Sequence, residues 1–201
     1  MRNRHSASTN HSPQLGILIF AVLIALTIVC RLLPHPPNFT PAAAVALFAG
    51  FFFGRRAVAL VVVLAAMALS DLIIGTYDYR IMAAVYAAFM FPVFLRSLLR
   101  RRLNPLTCCG SAVACSVVFF VSTNLAVWIF GGMYARTTGG LAECFAAALP
   151  FFRNTLCGDL FWTATLFGSY AIALRFGATP FSAKNLPARE TPGAGVPLTV
   201  R

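Results

Sequence analysis

The stretch RRAVALVVVLAAMALSDLIIG, residues 55–75, decides the fold of this chain. It opens on Arg55 and Arg56, then runs apolar from Ala57 with a lone charge, Asp71, in its final turn. About 20 mainly apolar residues suffice for a helix to cross a hydrocarbon core of about 30 Å. Cytoplasmic connections accumulate Lys and Arg, so the two arginines mark the inner end of a span and Asp71 its outer end.

The same sorting extends over the whole chain. Basic residues cluster at Arg2 and Arg4, at Arg55 and Arg56, at Arg96 with Arg100, Arg101 and Arg102, and from Arg175 through Lys184 and Arg189 to Arg201. Long apolar runs separate the clusters, and every second connection is nearly neutral. With both termini in the cytoplasm, all basic residues but Arg31, Arg80, Arg136 and Arg153 lie inside, and Glu190 is the only acid there. The inner face then carries the entire net charge of +11. The inverse orientation breaks the positive-inside rule at every loop.

Composition excludes a soluble domain. Hydrophobic residues make up 59 % of the chain, charged residues 10 %, and mean hydropathy is +0.80, whereas a soluble domain carries about 25 % charged residues. Nucleic acid is not an expected partner, because the basic residues flank apolar spans and do not share a patch with exposed aromatics. Anionic lipid headgroups account for them more simply.

The expected architecture is all-α: a polytopic six-helix transmembrane bundle over residues 15–176, between a polar cytoplasmic tail (1–14) and a disordered cytoplasmic tail (177–201). The spans are read at 15–33, 41–53, 57–75, 81–99, 106–130 and 155–176. The first is read as a retained helix and not a cleaved signal, since no small-residue cleavage site follows it. The second is short for a full crossing; Thr40 is placed to cap it and Pro41 to open it. Between the fifth and sixth spans, residues 141–152 are apolar but too few to cross. They predict a short interfacial or re-entrant helix ended by Pro150.

Small residues indicate how the helices pack. Ala42, Ala46, Gly50 and Gly54 recur every four positions on the second span, and Ala21 and Ala25 do so on the first. Such faces let backbones approach closely, either within the monomer or against a partner membrane protein.

Polar residues gather at the outer helix ends. Pro34, Pro36, Pro37 and Pro41 make the first outer loop stiff and extended, holding His35, Asn38 and Phe39 either as a rigid connection or as a lid over a ligand cavity. Asp71 is costly inside a span, which makes it a functional candidate or one half of an ion pair with Arg80 or Arg31. Asp159 stands similarly one turn into the last span, with Arg153 just before it, whereas Asp78 reads as a solvated loop residue. Asn124, beside Ser122 and Thr123, serves interhelical hydrogen bonding or a ligand; Trp128 and Tyr134 fit an interfacial aromatic belt. The expected ligand contacts are Asn38, Asp71, Asn124, Arg153, Asn154 and Asp159, with His35 and Tyr79 on the lid. In that assignment Arg153 neutralises an anionic group, while Asp71 and Asp159 accept hydrogen bonds or pair with a cation.

No enzyme signature, phosphate loop or metal-ligand spacing stands out, so neither an enzyme nor a bound cofactor is expected. The six cysteines read as small apolar residues in helices, with Cys144 and Cys157 the two near the outer face. An acid–base pair of Asp71 and Asp159 is a distant third reading.

The segments His35-Pro-Pro-Asn38-Phe39-Thr40-Pro41, Ser70-Asp71-Leu72, Thr123-Asn124-Leu-Ala-Val-Trp128 and Pro150-Phe-Phe-Arg153-Asn154-Thr-Leu-Cys-Gly158-Asp159 resemble the DUF6580 group of small bacterial proteins, labelled as transport proteins. In size and span count that group is similar to the substrate-binding S components of energy-coupling-factor vitamin transporters. The resemblance implies a protein of the bacterial inner membrane that takes up a small solute, of the vitamin or metal class, from the outer side. It also implies a transmembrane coupling subunit with ATPases as partner, docked against the Ala21/Ala25 face. The alternative is a structural or assembly protein whose outer charges only form ion pairs.

Overall fold

The computed structural model describes residues 13–176. The two polar tails expected at 1–14 and 177–201 lie outside the described residues, apart from Pro13 and Gln14. Among the described residues seven α-helices follow one another: α1 (Pro13–Leu32), α2 (Ala42–Phe53), α3 (Arg56–Ile74), α4 (Tyr79–Met90), α5 (Arg96–Arg101), α6 (Pro105–Phe130) and α7 (Thr138–Arg175). A 3₁₀ turn, Phe91–Leu95, joins α4 to α5. No strand occurs among the described residues.

Four stretches are long and apolar enough to cross a membrane: Gln14–Leu32, Arg56–Ile74, Tyr79–Arg101 and Pro105–Phe130. Their outward faces stay apolar, with Ile17 and Leu18 on α1, Leu72 and Ile73 on α3 and Leu106 on α6 exposed. Hydroxyls inside the helices bond to their own backbone. Thr27, Ser70 and Thr155 each donate to the carbonyl four residues earlier, which satisfies a polar group without water.

α2 is the axis of the bundle. It contacts every other element, and Ala42 to Gly50 are all buried. A helix apolar on all sides belongs in an interior, and its small residues let neighbours close in. Gly50 shows how tightly: a Cβ there would stand 3.2 Å from the Cβ of Arg96. The face of Ala42, Ala46 and Gly50 is thus internal packing. Ala21 and Ala25 are exposed on the outer side of α1.

The ends of α2 depart from expectation. Pro41, and not Thr40, holds the N-cap position, and no side chain caps it. At the other end Gly54 turns left-handed with φ +65°. Arg96 donates to the Gly54 carbonyl and Arg100 to that of Phe51, at 3.4 Å for the latter. Two cations therefore sit at the negative end of the helix dipole and satisfy orphan carbonyls. These arginines hold the core helix as well as marking the basic end.

The fourth run, read as a span over 81–99, holds as the stretch Tyr79–Arg101, with a tighter turn at Pro92, whose missing N–H and ring favour it. One further expectation is corrected. The separate short helix ended by Pro150 does not exist, because residues 141–152 belong to the continuous 38-residue α7 with Pro150 inside it. Phe145 and Phe152 flank the proline and both pack on Phe120 of α6, with ring centroids 5.4 and 4.7 Å apart. α6 thereby clamps the helix on both sides of the lost hydrogen bond. At 1.5 Å per residue α7 is about 57 Å long, more than the hydrocarbon core spans.

Gly54→Ala tests the capped end. The left-handed backbone costs a side chain about 1–2 kcal/mol, and a Cβ would also overlap the Arg100 guanidinium. Unfolding in detergent should shift by about 1–2 kcal/mol. Gly110→Ala, with nothing within 4 Å of its Cβ, should leave stability unchanged or raise it.

Candidate functional site

The connections 33–41, 75–78 and 131–137 share one end of the bundle, opposite the arginine-rich turns at 54–55 and 102–104. Below the first two lies a cavity of about 350 Å³. His35 and Asn38 from the first loop, Tyr77 from the second and Ile74 from the end of α3 form its exposed rim. Met67, Phe89 and Phe119 wall it, and Asp159, Thr155 and Cys115 line its depth.

The first loop reaches this position by turning. Asn38 adopts φ +65°, a conformation that Asn tolerates better than most residues. The N–H of Phe39 donates to the Pro36 carbonyl, and that of Thr40 to Asn38, each at 3.0 Å. The proline-rich segment is therefore folded back and not extended. Phe39 pins it to α7: its ring lies 5.8 Å from that of Phe161, and Gly158 leaves the space it occupies. A Cβ at Gly158 would come within 3.1 Å of the Phe39 backbone.

Two buried carboxylates, Asp71 and Asp159, meet different surroundings. Asp71 forms an ion pair with Arg31 of α1 and accepts a 2.8 Å hydrogen bond from the Tyr86 hydroxyl of α4. Arg31 also approaches the Met67 sulfur at 3.0 Å and lines the cavity, whereas Asp71 stands behind it. Asp71 thus joins α1, α3 and α4 and aims the guanidinium. Of the two partners considered for Asp71, Arg31 is the one found. Arg80 instead bonds Asp78 at the start of α4, and those bonds hold the Asp78 carboxyl down at about 2.

Asp159 is only 4 % exposed. Its Oδ2 accepts a 2.6 Å hydrogen bond from the Ser116 hydroxyl of α6. No described residue donates to its Oδ1, and no described cation pairs with it. An ionisable group so placed is expensive in an apolar interior unless something else meets it.

A smaller cavity of about 210 Å³ adjoins the first, with Asn38, Val85, Phe119 and Thr155 lining both. Asn124 lines this second space, and its side-chain amide donates to the Phe120 carbonyl at 2.7 Å. The structure thus brings His35, Asn38 and Asp159 to the main cavity, Asn124 beside it and Asp71 behind it. It does not bring Tyr79, Arg153 or Asn154 there: Tyr79 is 77 % exposed, Arg153 is exposed and Asn154 is half-buried. Tyr77, Thr155, Ser116 and Cys115 were not among the expected contacts. The only sequence signal of Cys115, Ser116 and Thr155 is a small side chain with a polar or sulfur atom in an apolar helix, which self-bonded hydroxyls share, and Tyr77 is one aromatic residue in a short connection. Among the described residues, no three His, Cys, Asp or Glu side chains converge as a metal site.

The geometry defines a helical protein with membrane-length apolar helices and a rimmed cavity floored by a carboxylate. Its lineage follows from a family model that matches residues 11–181: the chain belongs to DUF6580, described as a family of unknown function. No curated protein and no solved structure matches it.

The Arg31–Asp71 pair is testable by a double-mutant cycle. Asp71→Asn leaves a half-buried guanidinium without its anion and should cost about 3 kcal/mol of unfolding free energy in detergent. Arg31→Met combined with the same Asp71→Asn should cost less than the sum of the two single changes, because no unpaired charge remains. Additive losses would mean that the pair is not coupled.

Proposed function

We propose that this protein is a substrate-binding membrane subunit for uptake of a small solute, seated in the bacterial cytoplasmic membrane with both termini inside. It crosses six times, with the four long apolar helices joined by α2 and the second half of α7. α2 is shorter than the bilayer but wrapped by its neighbours, so it need not match the lipid thickness. The second half of α7 carries Thr155, Asp159 and Thr163 buried, and its outward side holds Phe161 and Ile172 with Thr165 and Ser169, whose hydroxyls donate to their own helix backbone.

The observation that carries this reading is Asp159, a buried carboxylate with a free oxygen at the floor of a cavity with an exposed rim. A volume of about 350 Å³ falls at the lower end of small-molecule sites, which are mostly apolar with a few placed polar groups. The rim lies at the nearly neutral end of the bundle, the outer side by the distribution of arginines. The opposite, basic end is left for an energising module on the cytoplasmic side. Binding, and not catalysis, is the role assigned to the cavity: Arg31 and Tyr86 engage Asp71, so it is not free to act with Asp159 as an acid–base pair. A structural or assembly role finds support in the Arg31–Asp71 and Arg80–Asp78 pairs, but it leaves Asp159 unexplained.

Native mass spectrometry of the protein in nanodiscs tests the reading. A small-molecule adduct should survive gentle purification, and Thr155→Phe, which fills the junction of the two cavities, should lower its occupancy at least about tenfold. An adduct equally abundant in a folded Thr155→Phe protein would place it elsewhere. Reporter fusions at 54–55 and 102–104 should read cytoplasmic, and those at 33–41, 75–78 and 131–137 external. The reverse pattern overturns the orientation.

A further inference from the structure

Resting on the reading of the cavity as a solute site, we propose that its ligand is a small organic cation, with its positive group seated on Asp159 and an apolar or aromatic body against Phe89 and Phe119. The charges around the cavity set the sign. Arg31 is matched by Asp71, which Tyr86 further steadies, so that pair is neutral as a unit. Among the described residues Asp159 receives only the neutral Ser116 hydroxyl. The other groups lining the space, such as His35, Tyr77, Cys115 and Thr155, supply no further fixed cation. One carboxyl without a cation partner therefore remains, in surroundings where the field of an arriving positive charge would be poorly screened.

The walls set the ligand's body. The rings of Phe89 and Phe119 both line the cavity, 5.0 Å apart and tilted by 43°. Aromatic rings beside a carboxylate suit an organic cation, through apolar contact and through their quadrupoles. A bare metal ion is a poorer match, because His35, Cys115 and Asp159 line the same cavity yet do not converge into a ligand cluster. The adjoining cavity, with Phe120, Phe151 and Phe152 in its lining, extends the apolar room past Phe119 and Thr155. An anionic ligand would meet Asp159 without a free guanidinium to offset it.

Cys115 provides a built-in reporter, since it lines the cavity with Asp159. The native chain in nanodiscs is treated with the cationic 2-(trimethylammonium)ethyl or the anionic 2-sulfonatoethyl methanethiosulfonate, and modification at Cys115 is read by peptide mass spectrometry. Relative to free glutathione, the cationic reagent should be favoured at least about tenfold. Benzyltrimethylammonium should slow labelling by the neutral methyl methanethiosulfonate, and phenylmethanesulfonate should not. Asp159→Asn should return the reagent ratio to within about twofold of glutathione; the wild-type ratio and protection stand as the test if that variant does not fold.

The two readings fail differently. Labelling of Cys115 with no cationic preference, or protection by the sulfonate instead, overturns the cation while leaving a solute cavity. Cys115 inert to all three reagents, together with no benzyltrimethylammonium adduct by native mass spectrometry, overturns the accessible cavity itself.

Discussion

The burial of α2 is the constraint on which the rest of this structure depends. Nine consecutive residues, from Ala42 to Gly50, are buried, so the helix has no face to offer lipid or water and must be wrapped on every side. Wrapping a helix rich in alanine brings backbones close, and the neighbours that do so are drawn from the whole length of the chain. Its ends impose further demands. The terminal carbonyls draw in Arg96 and Arg100, while the entry at Pro41 follows a loop that Phe39 fastens to α7. The cavity occupies the space near the start of α2, where α1, α3, α4, α6 and α7 splay around this short axis.

Within that frame, the two buried acids show how surroundings divide a common chemistry. Both sit in helices, both are nearly inaccessible, and from the chain alone each is a candidate for structure or for binding. Arg31 and Tyr86 meet Asp71, which closes its valences and ties three helices. Asp159 has one hydroxyl and an open oxygen at a cavity floor. A satisfied buried ion pair contributes position; an unsatisfied buried carboxylate retains an unspent attraction. The proposed site rests on that second condition, and the Arg31–Asp71 pair shapes its wall.

Several elements were legible because they follow from local pattern. Residues 56–74 and 105–130 form helices close to the expected bounds, since continuous apolar runs between basic turns leave few alternatives. Asp71 and Asp159 drew notice as charges in apolar surroundings, and His35 and Asn38 as polar residues in a constrained loop. Other features resisted the same reasoning. Pro150 reads as a helix end, yet Phe145 and Phe152 against Phe120 carry the helix past it. Pro92 sits in an apolar run like any other, yet there the helix tightens into a 3₁₀ turn. Arg153, six residues before Asp159, faces outward because α7 continues as a helix through that position and turns the two side chains to different sides.

By itself, the sequence determined the helical class, the spacing of the long helices and the segregation of basic residues to alternate connections. Those properties depend on residues close in the chain: a run long and apolar enough, a charge next to it, a glycine after it. Only the tertiary structure decided that Arg31 answers Asp71, that among the described residues Ser116 alone answers Asp159, and that Cys115, Phe119 and Thr155 share a cavity with a loop more than 70 residues earlier. Whether a buried charge is paired or open depends on side chains brought from distant helices, and packing around α2 is what brings them.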